Sequence, residues 1–485
     1  MKTVGRWITS IVLLALVFAA GVNGVSAQPD GQRPGRVDLH LWTEAQKAPG
    51  QKIPVIIQMT SGDQDGKALI QKHGGRTIDQ FPLIGGFRVE LPAAAVERLG
   101  RDQSVKYINL DAPLLLQSYD TAALSTVYNQ VINAPTAWNE YSMTGKGIGI
   151  AVLDTGVNQH DDIKDHLMVI KSNTKALHGN DANGHGTHVA GIIAGRSSSG
   201  QYMGVAPEAQ IIGVKIADDQ GMSSEGDLLR GLQWVYDNRA RYNIRIVNLS
   251  ISGSVEISYL NSAIDAAVEQ LWRAGVVVVV ASGNRGGDPN AVKFPPSNDP
   301  FVITVGALDD NGTVSGLDDS LAFFSGVGVT QDGFGKPEII APGRKIVSLL
   351  AGNNVTLAQR FPERVTGRYI RLSGTSMASP VVAGAAALLL QRYPSLTPDQ
   401  VKTVLVGSAR PYGGQPSGTA PLLDVKAALA LAGAGPVAPA NQGLTWNTTI
   451  DPATGAVNWS NAYWENAYWE SAYTENADYM FSDFD

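Results

Sequence analysis

Gly147-Ile-Gly-Ile-Ala-Val-Leu153 runs directly into Asp154-Thr155-Gly156. The first seven residues are short, apolar and β-branched at alternate positions. They read as a strand buried on both faces. Ile211–Ile216, Ile246–Ser250 and Val276–Ala281 have the same character, and Glu225–Arg239 and Ser258–Arg273 between them have helical spacing. Strands alternating with helices predict an α/β fold, a doubly wound parallel sheet covered by helices. Ligands in such sheets bind at the carboxyl ends of the strands. Asp154 directly follows one strand, and Asn284 lies just beyond another.

Two further blocks carry chemistry: Gly184-His185-Gly186-Thr187-His188-Val-Ala-Gly191 and Ser373-Gly374-Thr375-Ser376-Met-Ala-Ser-Pro380. With Asp154 they supply a carboxylate, an imidazole and a hydroxyl, the set that makes a weak hydroxyl nucleophile attack at neutral pH. Ser376 precedes an apolar helix rich in small residues, whose N-terminal dipole favours developing negative charge. An imidazole takes the hydroxyl proton, and the carboxylate fixes its tautomer. His185 and His188 compete for the imidazole role. A metal site built on the two is the alternative, although no HExxH motif or carboxylate cluster supports it.

The three blocks, in the chain order Asp, His, Ser, resemble the active-site blocks of subtilisin-like (subtilase) serine proteases, over roughly residues 122 to 432. The resemblance implies a serine endopeptidase of the EC 3.4.21 class that acts on proteins or peptides through an acyl-enzyme and needs no cofactor for its chemistry. It implies that His185 is catalytic and His188 structural. Ala281-Ser-Gly-Asn284-Arg-Gly286 resembles the family's oxyanion block, with Asn284 donating beside the Ser376 N–H. Ser250-Ile251-Ser252-Gly253 and Gly221-Met222-Ser223 resemble the substrate-binding strands, between which a peptide adds as a strand. Arg285 and Lys293 fall at primary-pocket positions where the family commonly has an acidic and a small residue. Two cations there favour an acidic substrate side chain, unless both point to solvent. Asp162 matches a calcium-ligand position, but the partner loop carries Ser197-Ser-Ser199 in place of the usual Asn, so any structural calcium there is weakly held.

Around this unit the chain divides further. Lys2, Arg6, the apolar stretch Ile8–Ala20 and Val25-Ser26-Ala27 read as a signal peptide over residues 1–27, the alternative being an uncleaved anchor. The expected product is secreted, extracellular or cell-surface associated, and not membrane-spanning. Residues 28–50 read as a flexible lead-in. Residues 52–112 read as a small α+β unit with strands at Ile53–Met59, Gly86–Leu91 and Val105–Leu110, and helices at Asp65–His73 and Pro92–Leu99. Their order is similar to that of the family's inhibitory propeptide, which implies a self-inhibited precursor spanning residues 28–120. A permanent accessory domain is the alternative. The peptidase unit then covers residues 121–432, with cleavage after Tyr119 or Asp120.

Residues 433–485 read as a linker and a low-complexity tail. Asn461-Ala-Tyr-Trp-Glu465, Asn466-Ala-Tyr-Trp-Glu470 and Ser471-Ala-Tyr-Thr-Glu475 repeat every five residues. That period fits neither a helix face nor a strand face. From Leu444 onward every charged side chain is acidic, and the segment carries the whole chain's net charge of −7. Its aromatics suit a surface glycan, a partner or the catalytic domain; a solvated tail is the plain alternative. A surface-binding protein with a silent protease domain is therefore the competing reading of the whole. The chain has no cysteine, hence no disulfide, thiolate metal site or cysteine nucleophile. No basic run suggests nucleic acid.

Overall fold

A computed structural model describes residues 33–60, 63–115, 127–172, 179–198, 200 and 202–456. The expected signal peptide, the Tyr119–Asp120 junction, Ser199 and the five-residue repeats lie outside the described residues. The strand Gly149–Asp154 sits near the middle of the main sheet and is buried at every position. The order across that sheet is Leu167–Ser172, Gln210–Lys215, Gly149–Asp154, Ile244–Leu249, Val277–Ala281, Ile303–Asp309, then Ser320–Leu321, with Ile339–Pro342 also pairing Ile303–Asp309. Apart from the antiparallel Ser320–Leu321, every pair in it is parallel. Helices Glu225–Asn238 and Ala263–Arg273 pack on each other, as do His185–Ala194 and Thr375–Arg392. These pairs cover the sheet, which is why its strands read as continuous apolar runs rather than alternating ones.

The N-terminal unit is a separate four-stranded antiparallel sheet in the order Arg76–Phe81, Gly86–Pro92, Lys52–Met59, Val105–Leu110. Residues alternate across its faces with the period of a strand. Ile53, Val55, Ile57 and Met59 enter the unit's own core with Phe87, Val89 and Leu91. Ile56 points the other way and joins Phe81, Leu83 and Ile84 in the main core. Full burial of such side chains is worth about 1.5–3 kcal/mol each as an upper bound, so the unit is held to the main domain by a continuous apolar seam.

Three differences from the sequence reading stand out. The lead-in contains a helix, Leu39–Lys47, capped by Asp38, whose carboxylate accepts the Leu41 N–H at 2.8 Å. Leu41 is fully buried in the N-terminal core, which orders this polar stretch. The strand Arg76–Phe81 was not expected, because polar residues hold most of its positions and it lies at the sheet's edge. The stretch from 433, expected to be a linker, is a strap laid on the domain. Trp446 stacks on Phe301 at 4.0 Å between ring centres. Asn447 is fully buried; its amide donates to the carbonyls of Tyr259 and Ser262, and its backbone N–H to Glu269 at 2.8 Å. Isolated anchors of this kind leave no periodic trace in a Gly- and Pro-rich sequence.

Candidate active site

Each chemical residue is placed by a backbone feature that its neighbours dictate. Asp154 ends the strand Gly149–Asp154. His185 opens the helix His185–Ala194 after Gly184, whose φ of 107° suits glycine. The carbonyl of Gly156 approaches Gly186 so closely that a Cβ there would lie 2.1 Å away, which excludes any side chain. Ser376 is the second residue of the helix Thr375–Arg392, and Asn284 follows the strand Val277–Ala281 by a short turn.

His185 Nδ1 lies 2.8 and 3.0 Å from the two carboxylate oxygens of Asp154, and both residues are buried. Burial pulls the imidazole toward neutrality, but the Asp154 carboxylate outweighs it and the His185 pKa is raised. Nδ1 therefore carries the proton, and Nε2 is the nitrogen left to accept one. Nε2 is buried and makes no hydrogen bond. His188, one turn on, places Nε2 3.1 Å from the carbonyls of Ile346 and Ile370. Burial lowers its pKa to about 3, so it is a neutral donor in the core. Among the described residues no group of three or more His, Cys, Asp or Glu side chains could hold a metal.

The Ser376 hydroxyl donates to the Ser250 carbonyl at 3.3 Å, and Ser250 Oγ donates back to the Ser376 carbonyl at 2.9 Å. No hydrogen bond joins Ser376 to His185 in this state; such contacts commonly tighten only when substrate arrives. Asn284 is oriented by Thr375, whose N–H and hydroxyl both donate to its Oδ1 at 2.9 and 3.0 Å. That leaves its amide as the donating end.

The sequence reading missed Asp181. It is fully buried and its carboxylate accepts four hydrogen bonds, from Thr155 Oγ1, Gly184 N–H, Thr187 N–H and Thr187 Oγ1, at 2.7–2.8 Å. Thr155 in turn accepts the Gly186 N–H. Asp181 thus ties the loop after Asp154 to the first turn of the His185 helix. Its place three residues before Gly184 was the available signal, since an acidic residue there suits a helix N-terminus.

The expected substrate strands border this site. Met222–Ser224 is paired antiparallel with Pro113–Leu115, the end of the N-terminal unit's described chain, in the register Leu115 to Met222, Leu114 to Ser223 and Pro113 to Ser224. Ser250, Ile251 and Ser252 are buried, with Ser250 bonded to Ser376, while Gly221 turns the chain at a φ of 83°. Arg285 lies over the Phe294 ring at 3.3 Å and donates to the Gly253 carbonyl at 3.2 Å. Its Nη1 is buried without a partner, and burial lowers its pKa to about 10 against the pull of Asp288 and Glu256. Lys293 is half-buried, and burial raises the Glu256 pKa although the Lys293 charge opposes it.

Asp162 Oδ2 accepts the Tyr369 hydroxyl at 2.7 Å. With one carboxylate oxygen so engaged, and no cluster of three or more His, Cys, Asp or Glu side chains among the described residues, this is a poor donor set for calcium, which favours six to eight oxygen ligands.

The aspartate-steered imidazole and the serine stand at the first turns of two helices that pack on each other, an arrangement that fits a serine hydrolase. The comparisons narrow this. A profile of the Subtilase family (peptidase S8) matches residues 145–435, and the chain belongs to that family as a subtilisin-like serine protease. It is 37% identical over 388 residues to serine protease AprX of Bacillus subtilis strain 168, covering 76% of this chain and 85% of that one. It is 31% identical over 434 residues to subtilisin NAT of Bacillus subtilis subsp. natto, covering 88% and 100%. Its fold matches that of fervidolysin from Fervidobacterium pennivorans, a keratinolytic enzyme related to subtilisin, with a TM-score of 0.62 at 24% identity. That match covers 80% of this chain and 62% of fervidolysin.

Proposed function

We propose that the chain is the precursor of a secreted endopeptidase in which Ser376, His185, Asp154 and Asn284 perform acyl transfer. Ser376 Oγ attacks the scissile carbonyl carbon as its proton passes to His185 Nε2. The Asn284 amide and the Ser376 N–H receive the oxyanion. The imidazolium, held by Asp154, then protonates the leaving amine. Water, deprotonated by the same imidazole, hydrolyses the acyl-enzyme and restores Ser376. The substrate backbone adds as a strand against Gly221–Ser223 and Ser250–Ser252. Arg285, with Lys293 beside it, favours an acidic side chain in the primary pocket.

The observation that carries this reading is the pairing of Pro113–Leu115 with Met222–Ser224. The N-terminal unit ends on the edge where substrate is expected, which supports its role as an inhibitory propeptide. Secretion is supported by the charged and apolar pattern of residues 1–27, and among the described residues no helix is long and apolar enough to cross a membrane. The test is hydrolysis of a broad peptide library by the processed protein and by Ser376→Ala. Cleavage by the first alone is expected. Cleavage by both, or by neither, overturns the assignment.

A further inference from the structure

The strap ends beside a groove that the peptidase reading leaves unused. This groove, about 710 Å³ in volume, lies where helices Glu225–Asn238 and Ala263–Arg273 end and helix Pro398–Gly407 begins. Arg239, Arg245 and Arg273 line it together with Trp272, Trp446 and Asp399. The arginines are anchored to carbonyl oxygens. Arg239 bonds Tyr236, Arg245 bonds Pro394 and Leu396 at 3.1 and 3.3 Å, and Arg273 bonds Pro452 at 3.4 Å. No carboxylate of the described residues forms an ion pair with any of them. The Oδ1 of Asp399 is occupied by Trp272 Nε1 and Asn441 Nδ2, and Asp451 reaches Arg273 only through the longer-range field. The groove therefore presents three guanidinium groups and aromatic faces against a single lining carboxylate, Asp399.

The strap delivers the chain's end to this place. Trp446 forms part of the wall, the Pro452 carbonyl meets Arg273, and the Gly455 carbonyl accepts from Gln270 at 3.1 Å. Residues 457–485 thus begin at the groove's edge. They carry Glu465, Glu470, Glu475, Asp478, Asp483 and Asp485, no basic residue, and a Tyr-Trp pair in each of the first two repeats. Carboxylates pair with guanidinium groups, and guanidinium groups stack on Tyr and Trp. A tether this short raises the local concentration to roughly millimolar, so weak contacts suffice.

We propose that this groove is the docking site of the chain's own C-terminal repeats, residues 457–485, with the Tyr-Trp-Glu units seated against Arg239, Arg245 and Arg273. The test uses the full chain with Ser376→Ala, so that the tail is not cut by its own active site. A photo-crosslinking benzoylphenylalanine replaces Ser395, an exposed residue of the groove. At low salt the expected product is an intramolecular link to residues 457–485. It should fall at least tenfold in 0.5 M NaCl. It should fall equally when Glu465, Glu470 and Glu475 become Gln, changes that keep the tail's length and remove three of its charges. Links only between molecules, no link, or an equal yield from the same probe at exposed Asn353 outside the groove each overturn the proposal.

Discussion

Asp111 accepts the backbone N–H of Gly226 at 2.6 Å, so a carboxylate of the N-terminal unit holds the first turn of the helix that follows Met222–Ser224. Its other oxygen holds Arg88 at 2.7 Å, and Arg88 reaches on to Ser224 and Asp227. Burial raises the Asp111 pKa although Arg88 opposes it. One buried ionic knot therefore joins the apolar seam to the strand pairing.

Breaking that knot should release the N-terminal unit sooner. Removing one partner of a buried pair costs about 3–5 kcal/mol; Arg88 keeps some solvent contact, so the lower end applies. Arg88→Ala should weaken inhibition by the N-terminal unit on the order of a hundredfold. Progress curves of activation, followed with a peptide substrate, check this.

Activity and local stability should respond to pH in opposite directions. His185 acts as a base only when neutral, and its pKa is raised, so kcat/KM should fall as pH drops through that value. The Asp154–His185 pair contributes stability fully below the ordinary pKa of 6.5 and loses it as pH rises through the raised one. Asp154→Asn should cost about 10⁴ in kcat, the size found when a triad carboxylate is neutralised elsewhere. A pH–rate profile beside urea melts at several pH values reads both.

Asn284→Leu should lower kcat by about 10²–10³ with little change in KM, the range known for the corresponding donor in subtilisin. Asp181→Asn should act differently. It sets an amide NH2 against two of the four donors that the carboxylate accepts, so thermal stability should fall together with kcat. Melting curves beside kcat measure both, since Asn284→Leu also strips Thr375 of its acceptor.

Arg285 offers a buried guanidinium nitrogen with no partner. Peptides matched except for Glu, Gln, Phe or Lys at the residue before the cut should be cleaved fastest with Glu and slowest with Lys. Arg285→Gln should erase the advantage of Glu over Gln. Faster cleavage of Gln than Glu by the unaltered protein refutes an acidic preference.

At Asp162 the Tyr369 contact predicts that a chelator leaves the cost of Asp162→Asn unchanged. A melting shift that appears only when calcium is supplied contradicts this.

The sequence made the main sheet legible because parallel strands bury both faces and leave unbroken runs such as Val276–Ala281. The three blocks were legible because each reactive residue needs small neighbours, as Gly186 does beneath the Gly156 carbonyl. Other features were not legible. Arg76–Phe81 is a polar edge strand, Leu39–Lys47 buries only Leu41 and Ala45, and the strap is held by scattered single anchors such as Asn441, Trp446 and Asn447. Asp181 went unnoticed because an isolated acid is commonplace until its four donors converge.

The most direct measurement is the site of fluorophosphonate modification, mapped by mass spectrometry on processed protein. A single adduct on the peptide containing Ser376, absent when His185 is replaced by Ala, is the predicted result. An adduct on another residue, or no adduct on fully processed protein, contradicts the account.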